Sequence, residues 1–342
     1  MKRIIIVLLT SVFSFSCLSN ESIIYNNANN RTLNEYIFNH IKNKDVILFG
    51  ESKHNHRIYK QTFLSFTKYY IMESIKDSSL SRNIAFVIEY PHSFENKLEN
   101  YFETSDPYYL IDNPSTDLVN KTLADIEFFY ELKKLKDTIN VLNKTLQNKF
   151  NIRIICPEED ISSEKAVSER YNYFATKRDI YTCNYLLNEI KKFPEYKFFG
   201  SFGIFHIDKM ESGDSNIPRL SKLLLDNGAK LYSVGLSLYS EIPSLINQKK
   251  DYGCTILTND NYDMLAVFHE DYKNEILISN IPSINVVRNY IDLANSNNSY
   301  KKFLIWYWQR LTGDSVMKYG EPLKYFSANL QSIDAVNLVD KN

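Results

Sequence analysis

The sequence predicts an α/β fold in which a mainly parallel β-sheet is flanked by helices on both faces and carries a helical insertion. Two observations lead to this reading. Short, unbroken apolar runs recur along the chain, as strands buried on both faces require. Stretches with helical spacing separate them. With 342 residues, 44% of them hydrophobic and 24% charged, the chain is long enough to bury such a sheet.

Val46 to Phe49 is the first run, stopped by Gly50. From Arg57 to Ile75 the aromatics Tyr59, Phe63, Phe66, Tyr69 and Tyr70 recur at helical spacing, which gives half of a βαβ unit. Ile84 to Ile88 is a second strand that delivers Glu89 and Tyr90 at its end, and Pro91 marks the loop beyond. Ser93 to Phe102 reads as a helix. A loop from Pro107 to Thr116 leads into Leu118 to Phe150, an amphipathic stretch rich in Lys, Leu and Glu that reads as the helical insertion, over about residues 108–150. Ile152 to Ile155 is a third strand, closed by Pro157 and followed by Glu158, Glu159 and Asp160. One long helix is expected over Ser163 to Lys191, a fourth strand over Lys197 to Phe202, and a helix over Ile217 to Leu225 with Gly228 as its stop. Leu231 to Leu238 is a fifth strand, Met264 to Phe268 a further one, and Tyr300 to Leu311 an aromatic helix carrying Trp306 and Trp308. Right-handed crossovers then cover both faces of one sheet.

The N-terminus carries a different signal. Lys2 and Arg3 precede an apolar run from Ile4 to Leu9 that continues through Val12, Phe13 and Phe15 and ends at Ser16-Cys17. A charged start before an apolar segment too short to span a bilayer is the pattern of a signal peptide. A small residue before Cys17 resembles the bacterial lipobox, so residues 1–16 are expected to be removed and Cys17 lipidated. Residues 17–35 read as a tether, and residues 36–342 as one α/β domain. The expected location is outside the cytoplasm, on a bacterial membrane at its periplasmic or cell-surface face.

Forty basic residues against 41 acidic ones give a net charge of -1, which lacks the basic excess of a nucleic-acid binder. The expected partner is a small-molecule ligand or substrate. Cys156, Cys183 and Cys254 form no CxxC pair and show no zinc-finger spacing, so at least one buried, inert thiol is expected.

In an open parallel sheet, ligands bind beyond the carboxyl ends of the strands. The first strand delivers Gly50-Glu51-Ser52-Lys53-His54-Asn55-His56-Arg57, the second Glu89, the third Glu158 and Glu159, and the fourth Gly203 and His206. Glu51, His54, Glu89 and His206 are therefore the candidate catalytic group. Arg57, Arg178 and His56 are candidate substrate contacts. Glu158 and Glu159 could assist the site, with a solvated helix start as the more economical reading. His40 and His269 are assigned no catalytic role.

With Gly50-Glu51-Ser52-Lys53-His54, then Arg57, then Val87-Ile88-Glu89, the chain resembles the erythromycin esterase-like superfamily and its GExxH motif. Arg178-Asp179, Gly203-Ile204-Phe205-His206, Tyr232 to Gly235 and Tyr262 to Leu265 agree with later family motifs, so the resemblance covers about residues 40–270. It extends to ChaN-like haem-binding and TraB/Tiki-like relatives. Gly203 stands where the family esterases carry the first of two histidines, closer to the Gly-x-x-His of the relatives. The resemblance implies hydrolysis of an ester or related bond. His54 is expected to take a proton from water, with Glu51 or Glu89 orienting its ring and His206 as second acid or oxyanion donor. Arg57 and Arg178 would hold an anionic group, or else neutralise the glutamates. No tightly bound cofactor is expected. A divalent metal on the two Glu and two His is the first alternative, and a non-catalytic lipoprotein that captures haem or another ligand is the second.

Overall fold

The structure is a computed structural model that describes residues 33–54, 56–105, 108–111, 123–160, 177–210, 218–238, 254–257 and 260–268. In chain order the elements are α1 (Leu33–His40), β1 (Val46–Glu51), α2 (Arg57–Lys76), β2 (Asn83–Ile88), α3 (His92–Thr104) and α4 (Tyr108–Ile111). They continue with α5 (Leu123–Leu142), β3 (Asn151–Ile155), α6 (Arg178–Lys192), β4 (Lys197–Gly203), a 3₁₀ turn (Ile204–Ile207) and α7 (Leu220–Asp226). The last three are β5 (Leu231–Leu238), β6 (Cys254–Leu257) and β7 (Met264–Phe268).

The strands form one seven-stranded sheet in the order β3-β2-β4-β1-β5-β7-β6. Every pairing is parallel except β6 with β7. β1 therefore lies at the centre between β4 and β5, and the register sets Glu51 beside Gly203 and Ile88 beside Ser201. The carboxyl ends of β2, β4 and β1 are adjacent. This is the expected α/β class, with an antiparallel strand added at one edge.

Alternation along each strand sends side chains to two separate cores. On one face Ile47, Phe49, Ile84, Phe86, Ile88 and Phe199 pack under α1, α2, α3 and α5. On the other, Val46, Leu48, Ala85, Val87, Phe198 and Phe202 pack under α6 and α7 through Cys183, Leu186, Leu220 and Leu224. Both faces are thus sealed, which is why the strands read as continuous apolar runs and not as alternating ones.

Several expected boundaries move. The first described element begins at Leu33, within the stretch read as tether, and Leu33 and Ile37 are buried in the first core. Among the described residues the insertion holds two helices, α4 and α5, and α5 stops at Leu142 because the Asn143 side chain turns the chain back by bonding both the N–H and the C=O of Phe150 at 2.8 Å. Of the long helix expected over Ser163 to Lys191, the described part is α6, which begins at Arg178 after a turn at Lys177, and residues 163–176 lie outside the described residues. Gly228, the expected stop after α7, takes a left-handed φ of 81° that suits glycine. The helix expected over Tyr300 to Leu311, His269, and Cys17 with the rest of the expected leader lie outside the described residues. Cys156, Cys183 and Cys254 are all unpaired and buried.

Candidate functional site

Because alternation places consecutive residues on opposite faces, Glu51 at the end of β1 and Glu89 just past β2 point to opposite helical layers. Each carboxylate is buried and each gathers its own charged neighbours.

Glu51 faces α2 and α5. Its Oε1 accepts a hydrogen bond from the Ser201 hydroxyl at 2.7 Å, and its Oε2 lies 2.9 Å from Lys60 Nζ and 3.4 Å from His54 Nδ1. Lys60 also reaches Asp125 of α5 at 2.8 Å. Burial alone would discharge Lys60, but Asp125 and Glu51 outweigh it and hold its proton more firmly than in water. Neither Lys60 nor Asp125 was a sequence candidate. The pattern along α2 offers one sign, a lysine on the face otherwise filled by Ile58, Tyr59, Phe63 and Phe66.

Glu89 faces α6. Its Oε1 accepts from Arg178 at 2.5 Å, its Oε2 accepts from the Gly203 backbone N–H, and His206 Nε2 is 3.5 Å away. Arg178 Nε also donates to Glu158 at 2.5 Å, so one guanidinium serves two carboxylates. Burial would raise Glu89, but Arg178, with His206 and His54, holds it down to about 2. Glu158 is raised, chiefly by burial and against the pull of Arg178, because Glu89 competes for the same cation. The expectation of a solvated helix start at Glu158 is therefore corrected: it is buried, and its backbone pairs with Tyr90 and His92 at the end of β2. Glu159, the other half of that expectation, is half-buried.

The histidines occupy the space between these two groups. His206, on the 3₁₀ turn after β4, holds Asp179 through Nδ1, and its Nε2 lies 3.2 Å from Arg178. Burial lowers its proton affinity, but Glu89 and Asp179 outweigh it and the net shift is upward. His54 has a side chain 46% exposed, at the open side of the cluster. Glu89, helped by Glu51, raises its pKa to about 9 against the effect of burial. Both rings approach the side of Gly203 where a side chain would stand. A Cβ there would stand 3.2 Å from His54 Nε2 and 3.4 Å from His206 Cδ2.

Four sequence candidates, Glu51, His54, Glu89 and His206, are thus brought to one sheet edge, together with Arg178. Among the charged groups named here, five carboxylates face Lys60 and Arg178, so the cluster keeps an excess of negative charge while both imidazoles are neutral. This excess draws protons onto the rings. His56 is the residue before the first turn of α2, and its ring lies 5.5 Å from that of Tyr59. Arg57 opens α2, and its side chain lies outside the described residues. Among the described residues, no group of three or more His, Cys, Asp or Glu is arranged to hold a metal ion, which departs from the two-Glu, two-His metal alternative. Exposed Phe205 and Ile180 follow or precede the residues of the His206–Asp179 contact in the chain.

This arrangement defines an α/β protein with a paired-histidine, carboxylate-lined site at its strand ends. No family model and no curated protein matches the chain. Among solved structures it is similar to a Bacillus cereus protein, with 12% identity over 69% of this chain and 90% of that one and a TM-score of 0.41. It is also similar to a mutant of the erythromycin esterase EreC in its open conformation, with 9% identity over 72% and 83% of the two chains and a TM-score of 0.42. A third is ChaN of Campylobacter jejuni, described with cofacial heme binding, at 15% identity over 70% and 92% and a TM-score of 0.32.

Proposed function

We propose that the chain is a hydrolase that adds water to an ester or related carbonyl bond, with His54 and His206 as its proton-transfer groups. The observation that most supports this reading is the pair of imidazoles that meet over Gly203, each held by a buried carboxylate, one ring open to solvent and the other enclosed. At neutral pH a ring with a pKa of about 9 carries its proton. His54 therefore serves as the acid, donating to the leaving-group oxygen as the bond breaks. This is the opposite direction from the one expected from the sequence, and the carboxylates around the ring supply the reason.

His206 is the acceptor in its neutral form. Because its proton affinity is raised above that of a free imidazole, the rate is also expected to rise on the acid side as this ring loses its proton. Asp179 fixes the ring through Nδ1–H and stabilises the imidazolium that forms when Nε2 takes a proton from the attacking water. Glu89, 3.5 Å away, then receives the new N–H where the neutral nitrogen had faced Arg178. Hydroxide from the water ends on the acyl carbon, the alcohol leaves with the proton of His54, and exchange with solvent restores both rings. Arg178 is committed to Glu89 and Glu158, so in this scheme it positions the machinery and does not anchor substrate. The export signal and the Cys17 lipid expected from the sequence would hold this activity at a membrane surface.

A panel of chromogenic esters assayed from pH 5 to 10 tests the reading. His54→Gln and His206→Gln are each expected to lower kcat/KM by about 10²- to 10⁴-fold with an unchanged circular dichroism spectrum. In the parent chain the rate is expected to fall as pH rises through about 9, where His54 loses its proton. A rate that climbs through that point would assign His54 the role of base. Lack of turnover on every ester, together with a Soret band on adding haemin, would replace hydrolysis by ligand capture.

A further inference from the structure

We propose that Lys60 and Asp125 are positioning residues that act through Glu51, fixing how firmly its carboxylate holds the His54 ring and hence which protonation state His54 presents to substrate. The inference rests on the proton-transfer role proposed for His54. It goes beyond that role by assigning control of the ring to a pair of side chains in the helical layer.

The geometry supports this in three ways. Glu51 Oε2 is shared: Lys60 Nζ at 2.9 Å and His54 Nδ1 at 3.4 Å face the same oxygen, while Ser201 fixes Oε1. Lys60 is divided between Glu51 at 2.9 Å and Asp125 at 2.8 Å, so a stronger hold by one carboxylate weakens its hold on the other. Both partners of Lys60 are buried, and Phe128 lies 5.5 Å below its ammonium. A buried ion triad is often no more stabilising than an apolar replacement of the same volume. Its placement in an aromatic core points to a role other than stability, and the oxygen of Glu51 that it shares with the open histidine identifies that role.

The charged groups that bear on the ring are Glu51 from β1, Glu89 from the end of β2 and Lys60 from α2, with His206 meeting it over Gly203 and Arg178 behind Glu89. Of these, Lys60 alone lies in the layer of α2 and α5 and is neutralised there by an acid on the insertion. Asp125 thus connects the insertion to the site.

The test is an NMR titration of the His54 ring in histidine-labelled protein, with its signal assigned from the His54→Gln spectrum. Asp125→Asn leaves Lys60 to Glu51 alone and is expected to lower the His54 midpoint by about half to one unit, while Lys60→Met removes the competing cation and is expected to raise it by a similar amount. The Lys60→Met/Asp125→Asn double variant, which buries no unpaired charge, is expected to titrate at or above the parent value, and it decides the matter if the Lys60 single variant does not fold. Midpoints within about 0.2 unit of the parent in folded variants, or a fall in Lys60→Met alongside Asp125→Asn, would overturn the inference. The titration reads the ring whether or not any ester is cleaved, so failure of hydrolysis and failure of this coupling are separate results.

Discussion

Gly203 governs the spacing between the two imidazoles. A methyl group there would meet His54 at 3.2 Å and His206 at 3.4 Å, close enough to displace the more exposed ring by a few tenths of an ångström. Gly203→Ala is therefore expected to leave the melting temperature nearly unchanged while lowering turnover by about 10- to 100-fold, since small misplacements of reacting groups are costly. Steady-state kinetics beside a thermal melt check both halves. The His54 charge also has a stability consequence. Its folded pKa lies above the free value of 6.5, so its contribution is complete below that pH and is lost as pH rises through about 9. Glu89 behaves in the opposite sense, contributing above the usual carboxylate range and losing its contribution only as pH falls through about 2. Glu51, Glu89 and His206 were legible in the sequence because each follows an apolar strand, where the backbone fixes direction. Lys60 and Asp125 were not, because they sit on separate helices and nothing in the spacing along either one reveals that they meet at 2.8 Å.

At the scale of elements, the 3₁₀ turn that carries His206 rests directly on β1. A Cβ on Gly50 would come within 2.4 Å of the Ile207 side chain and 2.9 Å of the Ile204 Cα, a backbone atom that cannot swing aside. Gly50→Ala is expected to destabilise the fold by about 1–3 kcal/mol through overpacking. It should also disturb the His206–Asp179 contact, which chemical denaturation and the His206 ring signal would register. The same scale shows what the sequence concealed. β1, β2, β4 and β5 were legible because burial on both faces leaves unbroken apolar runs. β6 has four residues, of which only Cys254 is buried, so an edge strand exposed on its outer side lacks that signature. α1 escaped notice because Asn-rich sequence precedes its Leu33 and Ile37 pair. The turn at Lys177 was missed because helical spacing continues upstream of it, and spacing does not register a turn.

The whole molecule joins one sheet to two helical layers, and the site straddles the end of that sheet. Among the described residues no helix is long and apolar enough to cross a membrane. The lipid expected at Cys17 has its own test: labelled palmitate is expected to enter the chain in a bacterial host and to be lost in Cys17→Ala, with the labelled band in the membrane fraction. The overall class was legible because the alternation of runs fixes a parallel sheet regardless of how its strands are ordered. The order itself, with β4 inserted between β2 and β1, was not, since it depends on which neighbour each strand finds in space. That order gives the two carboxylates separate hosts, with Glu51 answering to α2 and α5 and Glu89 to α6. The two sides differ in reach: an exchanged insertion that keeps an acid opposite Lys60 leaves the Arg178 side intact, whereas a change at Arg178 on α6 alters Glu89 and through it both the enclosed ring and the open one.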